Sequence, residues 1–520
     1  MTPKRVIVIL SLCGLCSFAV AATGTSKKTN TNSTAPAPIK TLSQEDVHWL
    51  NRITYGIDGA TVAEYEALGR KAYLEKQLRG SDDGMPADVS DTISHLELIN
   101  APVLQELQDL DQDNKHINSL SNDDQKQAAR KQQNDLASRI VYETTKRHLM
   151  RALYSPAQLK EQMVWFWDNH FSVFQSKGNL RWTVSDYEEH AIRPYALGNF
   201  RELLMATLKH PAMLVYLDNA QSSGGKINEN YARELLELHT MGVNSGYTQQ
   251  DVQELARVLT GVGVSTATTP PKLKPEWQPL YIHEGVFEFN PARHDFGDKT
   301  LLGQTITGQG WNEVEQAVDL IVRQPATAHF VSQKIATYFV NDDPPPALVD
   351  RMAKSFQQSN GDIPSVLRTM FMSKEFNASL GSKFKDPMHY VISSMRLAYN
   401  GKIVNNVKPV NNWLNSLNEP LYGHLTPDGY GMRQRDWASS GQMSKRFEIA
   451  RAIGSGSAGL FDSEDGTPPV SFGFPMLSNR LFYDTFDNVM SKQVKLALDK
   501  ASSQAEWNAY LLASPDFMYR

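Results

Sequence analysis

Apolar positions recur every three or four residues along most of the chain, a pattern that predicts a mainly α protein. Structure is expected to begin near Ser43, which precedes Asp46 by three as in a capping box, with Val47, Leu50 and Ile53 as the first apolar stripe. A second helix is predicted from Thr61 to Leu78, burying Val62, Tyr65, Leu68, Tyr73 and Leu74, and Pro86 with its Ser/Asp neighbours breaks the pattern. Leu104, Leu107, Leu110, Ile117 and Leu120 keep helical spacing. Asn122-Asp123-Asp124 interrupts, and a second arm runs from Gln125 to Leu153. Residues 101–150 therefore read as a protruding helical hairpin, mostly solvated on its Gln, Asp and Lys faces. Later helix signals are Ser155-Pro156 as cap and first position, Thr248 three before Asp251, and Gly242 and Gly261 as stops.

Residues 262–310 break this rhythm. Pro270, Pro271, Pro275 and Pro279 predict a long irregular loop. Val286, Phe287 and Phe289, then Thr300, Leu301 and Leu302, predict two short strands around a turn at Pro291 to Gly297. Helices resume at Trp311, Pro344 to Pro346 mark a turn, and 401–475 is loop-rich. No period of 20 to 50 residues recurs, so a solenoid is not expected. The expectation is one large multi-helix domain over 42–520, with a small β-ribbon and loop insert around 280–303.

The N-terminus has a different character. Lys4 and Arg5 precede an apolar run from Val6 to Val20, and Ala19-Val20-Ala21 is a small-x-small cleavage pattern. This predicts a secretory signal peptide over 1–21, cut after Ala21, because the run is shorter than the ~20 residues of a membrane-spanning helix. An uncleaved anchor is the alternative reading. Cys13 and Cys16 each follow Leu, unlike a lipoprotein signal. Residues 22–41 are small and polar and predict a flexible leader. No later stretch reads as a transmembrane helix, so a periplasmic or secreted protein is expected.

Composition narrows the function. Both cysteines lie in the signal, so the mature chain can form no disulfide, thiolate nucleophile, cysteine zinc site or iron–sulfur cluster, and no C-x-x-C-H attaches a c-type haem. The mature chain carries 50 basic and 57 acidic residues, a net −7. This balance argues against a nucleic-acid partner. With 9 Trp, 19 Tyr and 21 Phe, the chain has too much aromatic mass to remain disordered. There is no P-loop, no Gly-x-Gly-x-x-Gly after a strand, no Gly-x-Ser-x-Gly and no His-Glu-x-x-His. Ser382 and Lys385 form a Ser-x-x-Lys without its partner motifs. Asp109, Asp111 and Asp113 lack the Gly and Glu of a calcium loop.

Three segments carry unusual chemistry. In Val164 to Phe171 the aromatics cover every face of a helix, so it must be buried, and Asp168, Asn169 and His170 must each find a partner. They form either a packing network or a site wall with His170 as base or ligand. In Asn228 to His239, a helical wheel puts Asn230, Arg233, Glu234 and Glu237 on one polar stripe. His239 falls in the apolar arc. Arg233 and Glu237, four apart, can pair and leave Glu234 the freer carboxylate. The segment is either a salt-bridge cluster with a core histidine, or an acid/base or divalent-metal site. The third segment, Arg293 to Lys299, places His294-Asp295 on a loop, as a polar turn or a catalytic pair.

The same residues carry a family resemblance. Asn228 through His239, Gly242, Tyr247, Asp251-Val252 and Ala256-Arg257 to Thr260-Gly261 resemble the signature of a bacterial family known only as domain of unknown function 1800. Leu50-Asn51-Arg52 to Gly56, Trp167 with Asn169-His170-Phe171, and His294-Asp295 with Gly297 and Lys299 resemble further blocks. So do Lys334 with Phe339-Val340 and Asp343-Pro344-Pro345, and Ser514-Pro515-Asp516-Phe517 to Arg520. The resemblance implies an exported, large, mostly helical protein. Its members' genes often adjoin those of another secreted family resembling sulfatases and phosphatases, which implies a second exported protein as partner. It implies no activity.

Two functions follow as expectations. One is an envelope or extracellular hydrolase or modifying enzyme acting on a glycan, ester or other polymer. There, Glu234 and Glu237 would serve as acid/base groups, His170 as base or ligand and His294-Asp295 as a lid-borne pair. Asn230, Arg233, Arg257 and Lys299 would bind, with the two arginines holding an anionic group, and His239, His170 and Glu234 would be ligands if a divalent metal takes part. The other is a non-catalytic scaffold for the exported partner, in which the same residues form a closed network.

Overall fold

Ser43 accepts a hydrogen bond from the Asp46 backbone at 3.1 Å and opens the helix Gln44–Ile53, whose apolar stripe is fully buried. The computed structural model describes residues 41–243, 245–464 and 473–520. The signal peptide expected over 1–21 and all but the last residue of the expected leader lie outside the described residues. The helix Gly59–Arg79 follows, but Gly69 adopts φ +73° and breaks it. The expected burial of Val62, Tyr65, Tyr73 and Leu74 is seen, whereas Leu68 is 42% exposed. The left-handed glycine turns the phase of the apolar stripe just after Leu68, so a single wheel does not hold across it.

Helices Val103–Ser119 and Asp123–Tyr154 form the hairpin. Its outer half is solvated and holds together through a small separate core that includes Leu107, Leu110, Ala137 and Ile140. The last turns of the second arm, from Thr144 to Leu153, enter the main core. Ser155 and Pro156 do not start the next helix. Ser155 ends the long helix and its hydroxyl accepts from the Ala157 backbone at 3.1 Å, and the central helix is Gln158–His170. Thr248 and Asp251 form a reciprocal capping box at the start of Gln249–Val258, and Gly242 and Gly261 take the left-handed backbone that ends a helix.

Helix dominates, and the strands belong to two small antiparallel sheets. β1 (Val262–Val264), β2 (Ile282–Glu284) and β3 (Phe287–Phe289) form one, in the order β1-β3-β2. β4 (Lys299–Leu301) and β5 (Gln304–Ile306) form the other. The two predicted strands thus exist as β3 and β4 but do not pair with each other. Each finds a nearer partner that its sequence context concealed. β1 is three residues with a glycine, too short for alternation to be read.

Residues 41–520 form one compact unit around a single large core that runs from Leu42 to Met518. Buried Arg52 donates to the carbonyls of Phe339 at 2.6 Å and Val340 at 2.8 Å. These are terminal carbonyls of the helix Pro325–Phe339, left without helical partners. Arg520 donates to the Tyr338 carbonyl at 2.9 Å, and its own carbonyl accepts from Arg52. Three stretches far apart in sequence therefore share one buried node. No described helix is long and apolar enough to cross a membrane.

Candidate functional site

Consecutive residues on an α-helix point about 100° apart, and Asp168, Asn169 and His170 at the end of the central helix use this to reach three different surroundings. Asn169 clamps the loop that follows residue 420. Its amide nitrogen donates to the Tyr430 carbonyl at 3.0 Å, and its oxygen accepts from the Tyr430 backbone at 2.6 Å. Gly429, at φ +74°, lies against Asn169 so closely that a Cβ would sit 2.1 Å from the Asn169 carbonyl oxygen. Only glycine permits this approach.

His170 faces the second signature helix. Glu229–Glu234 is α-helical and Leu235–Thr240 is a π-helical turn, a distortion that concentrates at functional sites. The ring of His170 lies 6.2 Å from that of His239, and its Nε2 meets the His239 carbonyl at 3.0 Å. His170 Nδ1 and His239 Nε2 are buried without a partner. Burial and then the Lys334 ammonium hold His239 down to about 3, and the same two causes, in that order, lower His170. Both imidazoles are therefore neutral at pH 7.

Lys334, whose charge acts on both rings, and Glu234, five residues before His239, are both partly buried. Burial lowers the Lys334 amine to about 8, partly offset by Asp428. Burial raises the Glu234 carboxyl, and the like charges of Glu237 and Asp428 add to the shift. Among the described residues, neither side chain makes a hydrogen bond or ion pair, and the Lys334 ammonium lies 5.7 Å from the centre of the Phe330 ring. Glu237 is occupied by the Tyr247 hydroxyl at 2.6 Å and by Arg233 at 3.6 Å. Arg233 also bonds Gln249 at 2.8 Å, and Asn230 is exposed. Exposed Leu425 and Val243 stand close in sequence to Asp428 and His239.

His294 and Asp295 belong to a separate network. His294 places its two ring nitrogens 2.8 Å from the Thr260 carbonyl and 2.9 Å from Glu313 Oε1. Lys299 bonds the other Glu313 oxygen, and the backbones of Gln309 and Gly310 complete the Glu313 shell at 2.7 and 2.9 Å. Burial would raise the Glu313 carboxyl, but these partners hold it below its usual value. Arg257 grips Asp295 through two bonds of 2.9 and 3.1 Å and reaches Glu254 at 2.7 Å. Among the described residues, no hydrogen bond, ion pair or ring contact joins His294 or Asp295 to His170, His239 or Glu234.

Asp168 reaches a third group that the sequence reading did not assemble. One donor atom each from buried His148, Asp168 and Glu188 lies within 4.8 Å of the others, the one such trio of His, Asp or Glu among the described residues. His170, His239 and Glu234 do not form one. His148 comes from the end of the hairpin's second arm and Glu188 from another π-helical turn, Tyr187–Ile192. Tyr422, at φ +53°, donates its hydroxyl to Glu188, a backbone strain that recurs at functional sites. The apolar Leu149, Met150, Ala152 and Leu153 beside His148 are the sequence signal that could have placed it inside. Lys334 falls in one of the blocks of the family resemblance, whereas Asp428 stands in none.

Helical bulk, two small sheets and buried polar clusters tied to one loop define a large mainly α protein whose chemistry sits at helix ends. A family model described as "Protein of unknown function (DUF1800)" matches residues 48–519, and the chain belongs to this family. Comparisons with curated proteins and with solved structures give no match.

Proposed function

We propose that this is an exported enzyme, of the hydrolase or modifying class, that performs acid–base chemistry with Glu234 and Lys334 on an extracytoplasmic polymer. The observation that carries the reading is that two partly buried groups, both without a polar partner among the described residues and both under the charge of Asp428, have titrations displaced in opposite directions. A carboxyl that holds its proton more tightly than usual and an amine kept partly neutral near pH 7 suit acid and base catalysis. Lys334 would take a proton from an attacking water, and Glu234 would give one to the leaving oxygen. Neutral His170 and His239 form the dry rear wall, Glu237 is held in place by Tyr247 and Arg233, and Asn169 fixes the loop that brings Asp428. The N-terminal residues support export, and the mature chain recovered from a periplasmic or culture fraction is expected to begin at Ala22.

The test is a panel of chromogenic esters, glycosides and phosphate esters, turned over by the mature protein and by E234Q and K334M. Each substitution is expected to cost at least about 100-fold in turnover while the far-UV spectrum stays the same. Turnover that survives both, or a wild-type protein inert on the whole panel, overturns the enzymatic reading. A non-catalytic partner of another exported protein then takes its place. That second reading draws on a groove of about 700 Å³ between the helices Ser440–Ser455 and Gln504–Ala513, with Phe447 exposed at its edge.

A further inference from the structure

We infer that His148, Asp168 and Glu188 bind one divalent transition-metal ion, which fastens the loop around Tyr422 to the helical core. The trio is more than a set of acidic residues. Asp168 is 8% exposed, yet neither carboxylate oxygen has a hydrogen-bond partner. Glu188 Oε1 and His148 Nε2 are likewise buried and unbonded. A carboxylate so placed costs several kcal/mol unless a cation compensates it. Three unsatisfied carboxylate oxygens from two residues, beside the imidazole of His148, form a donor set, not a packing accident.

The surrounding charges do not supply the compensation. Arg193 is committed to Glu161 through bonds of 3.0 and 2.8 Å and stays 3.6 Å from Glu188. Arg147 bonds the Ser185 carbonyl at 2.7 Å and lies 3.4 Å from Glu189. Neither makes a hydrogen bond to Asp168. Three buried carboxyl groups, Glu161, Asp168 and Glu188, thus face two buried arginines, and Asp168 is the one left without a hydrogen-bond partner.

The ligand chemistry indicates which ion. One imidazole with two carboxylates suits Zn²⁺ or Mn²⁺, whereas Ca²⁺ and Mg²⁺ prefer an all-oxygen shell. His148 Nδ1 lies 3.0 Å from Glu188 Oε2. That is a separation two ligands of one ion share, so Nδ1 and the Glu188 carboxylate can face the same metal. Tyr422 shares that Glu188 oxygen. A cavity of about 10 Å³, bounded by Trp165, Asp168, Tyr422, His424 and Tyr430, opens on Asp168 and gives room there for a single water. The site depends on none of the groups assigned to acid–base chemistry above.

The mature full-length protein, stripped with a chelator and titrated separately with Zn²⁺ and Mn²⁺, tests this. One equivalent of one of these ions is expected by elemental analysis and calorimetry, with a rise of several degrees in Tm on loading. D168N preserves shape and is expected to weaken binding by about 100-fold or more. Y422F, which removes a supporting bond, should weaken it by about 10-fold. E234Q should bind the ion as the wild type does, which separates this result from the fate of the catalytic reading. Failure of the stripped wild type to bind either ion tighter than about 100 μM, or D168N binding equal to wild type, overturns the assignment.

Discussion

The network around Glu313 and the cluster around Lys334 are built from the same residue types and are balanced in opposite ways. In the first, His294 has an acceptor at each nitrogen, Glu313 accepts from two side chains and two backbone amides, and Lys299 and Arg257 are fully engaged. In the second, Lys334 and Glu234 have no hydrogen-bond or ion-pair partner among the described residues, and two imidazole nitrogens are buried without one. A closed network holds a fold together and can do little else, because every lone pair and proton is already used. An open one leaves interactions for something that arrives later. Arginine, lysine, histidine and glutamate in a signature block therefore do not by themselves mark a site, and the state of their hydrogen bonds distinguishes the two cases.

The comparison breaks most easily at Glu313. E313A leaves Lys299 and His294 facing each other in a fully buried site, and breaking a buried pair in this way costs about 3–5 kcal/mol. Urea unfolding should show that loss, and a change below about 1 kcal/mol would remove the distinction drawn here. K334M should do the reverse. An amine lowered to about 8 from near 10.4 when unfolded binds fewer protons in the folded state between those values. Stability therefore rises with pH through that window, and the full penalty applies below pH 8. K334M should raise stability by about 1–3 kcal/mol at pH 7, with the gain vanishing toward pH 10 in paired unfolding curves. D295N, at the partly exposed outer edge of the closed network, should cost about 1 kcal/mol. It weakens the Arg257 fork while leaving the Glu313 node intact, and a loss as large as that of E313A would mean that the two layers act as one.

Much of the scaffold was legible in the residues. Thr248 and Asp251 announce their capping box, the all-round aromatic helix announces its burial, and the wheel of 228–239 turns His239 inward and leaves Glu234 unpaired, as observed. What escaped has specific causes. A π-helical turn inserts a residue that a 100° wheel does not contain, so Glu188 could not be aligned with anything. The hairpin's second arm changes from solvated to buried partway along its length, which hid His148 in a segment whose composition looked exposed throughout. Gly69 resets the phase of a helix whose apolar spacing looks continuous, so Leu68 was assigned to the wrong face. Lys334 and Asp428 come from a helix and a loop nearly a hundred positions apart, and the loop is held in place by bonds such as the Asn169 clamp on Tyr430 and the Tyr216 hydroxyl on the Leu425 carbonyl. That kind of proximity leaves no periodic trace.

E234Q carries the smallest expected change in stability and the sharpest contrast with E313A. Glu234 has no bond to lose, its carboxyl is raised by burial, and its nearest charges, Glu237 and Asp428, repel it. Replacing it by the neutral isostere should shift stability at pH 7 by no more than about 0.5 kcal/mol, in the stabilising direction if any. The sign follows from proton binding. A carboxyl whose folded value exceeds its unfolded value holds its proton longer in the folded state, so the wild type loses a little stability as pH rises from about 4.3 through the raised value, and E234Q should lack that decline. Unfolding curves of both proteins at pH 4.5, 6 and 7.5 measure it. Parallel curves would mean that Glu234 titrates normally and is satisfied by solvent. A loss of several kcal/mol in E234Q would mean that the carboxylate has structural partners after all, and the cluster would then be a second closed network.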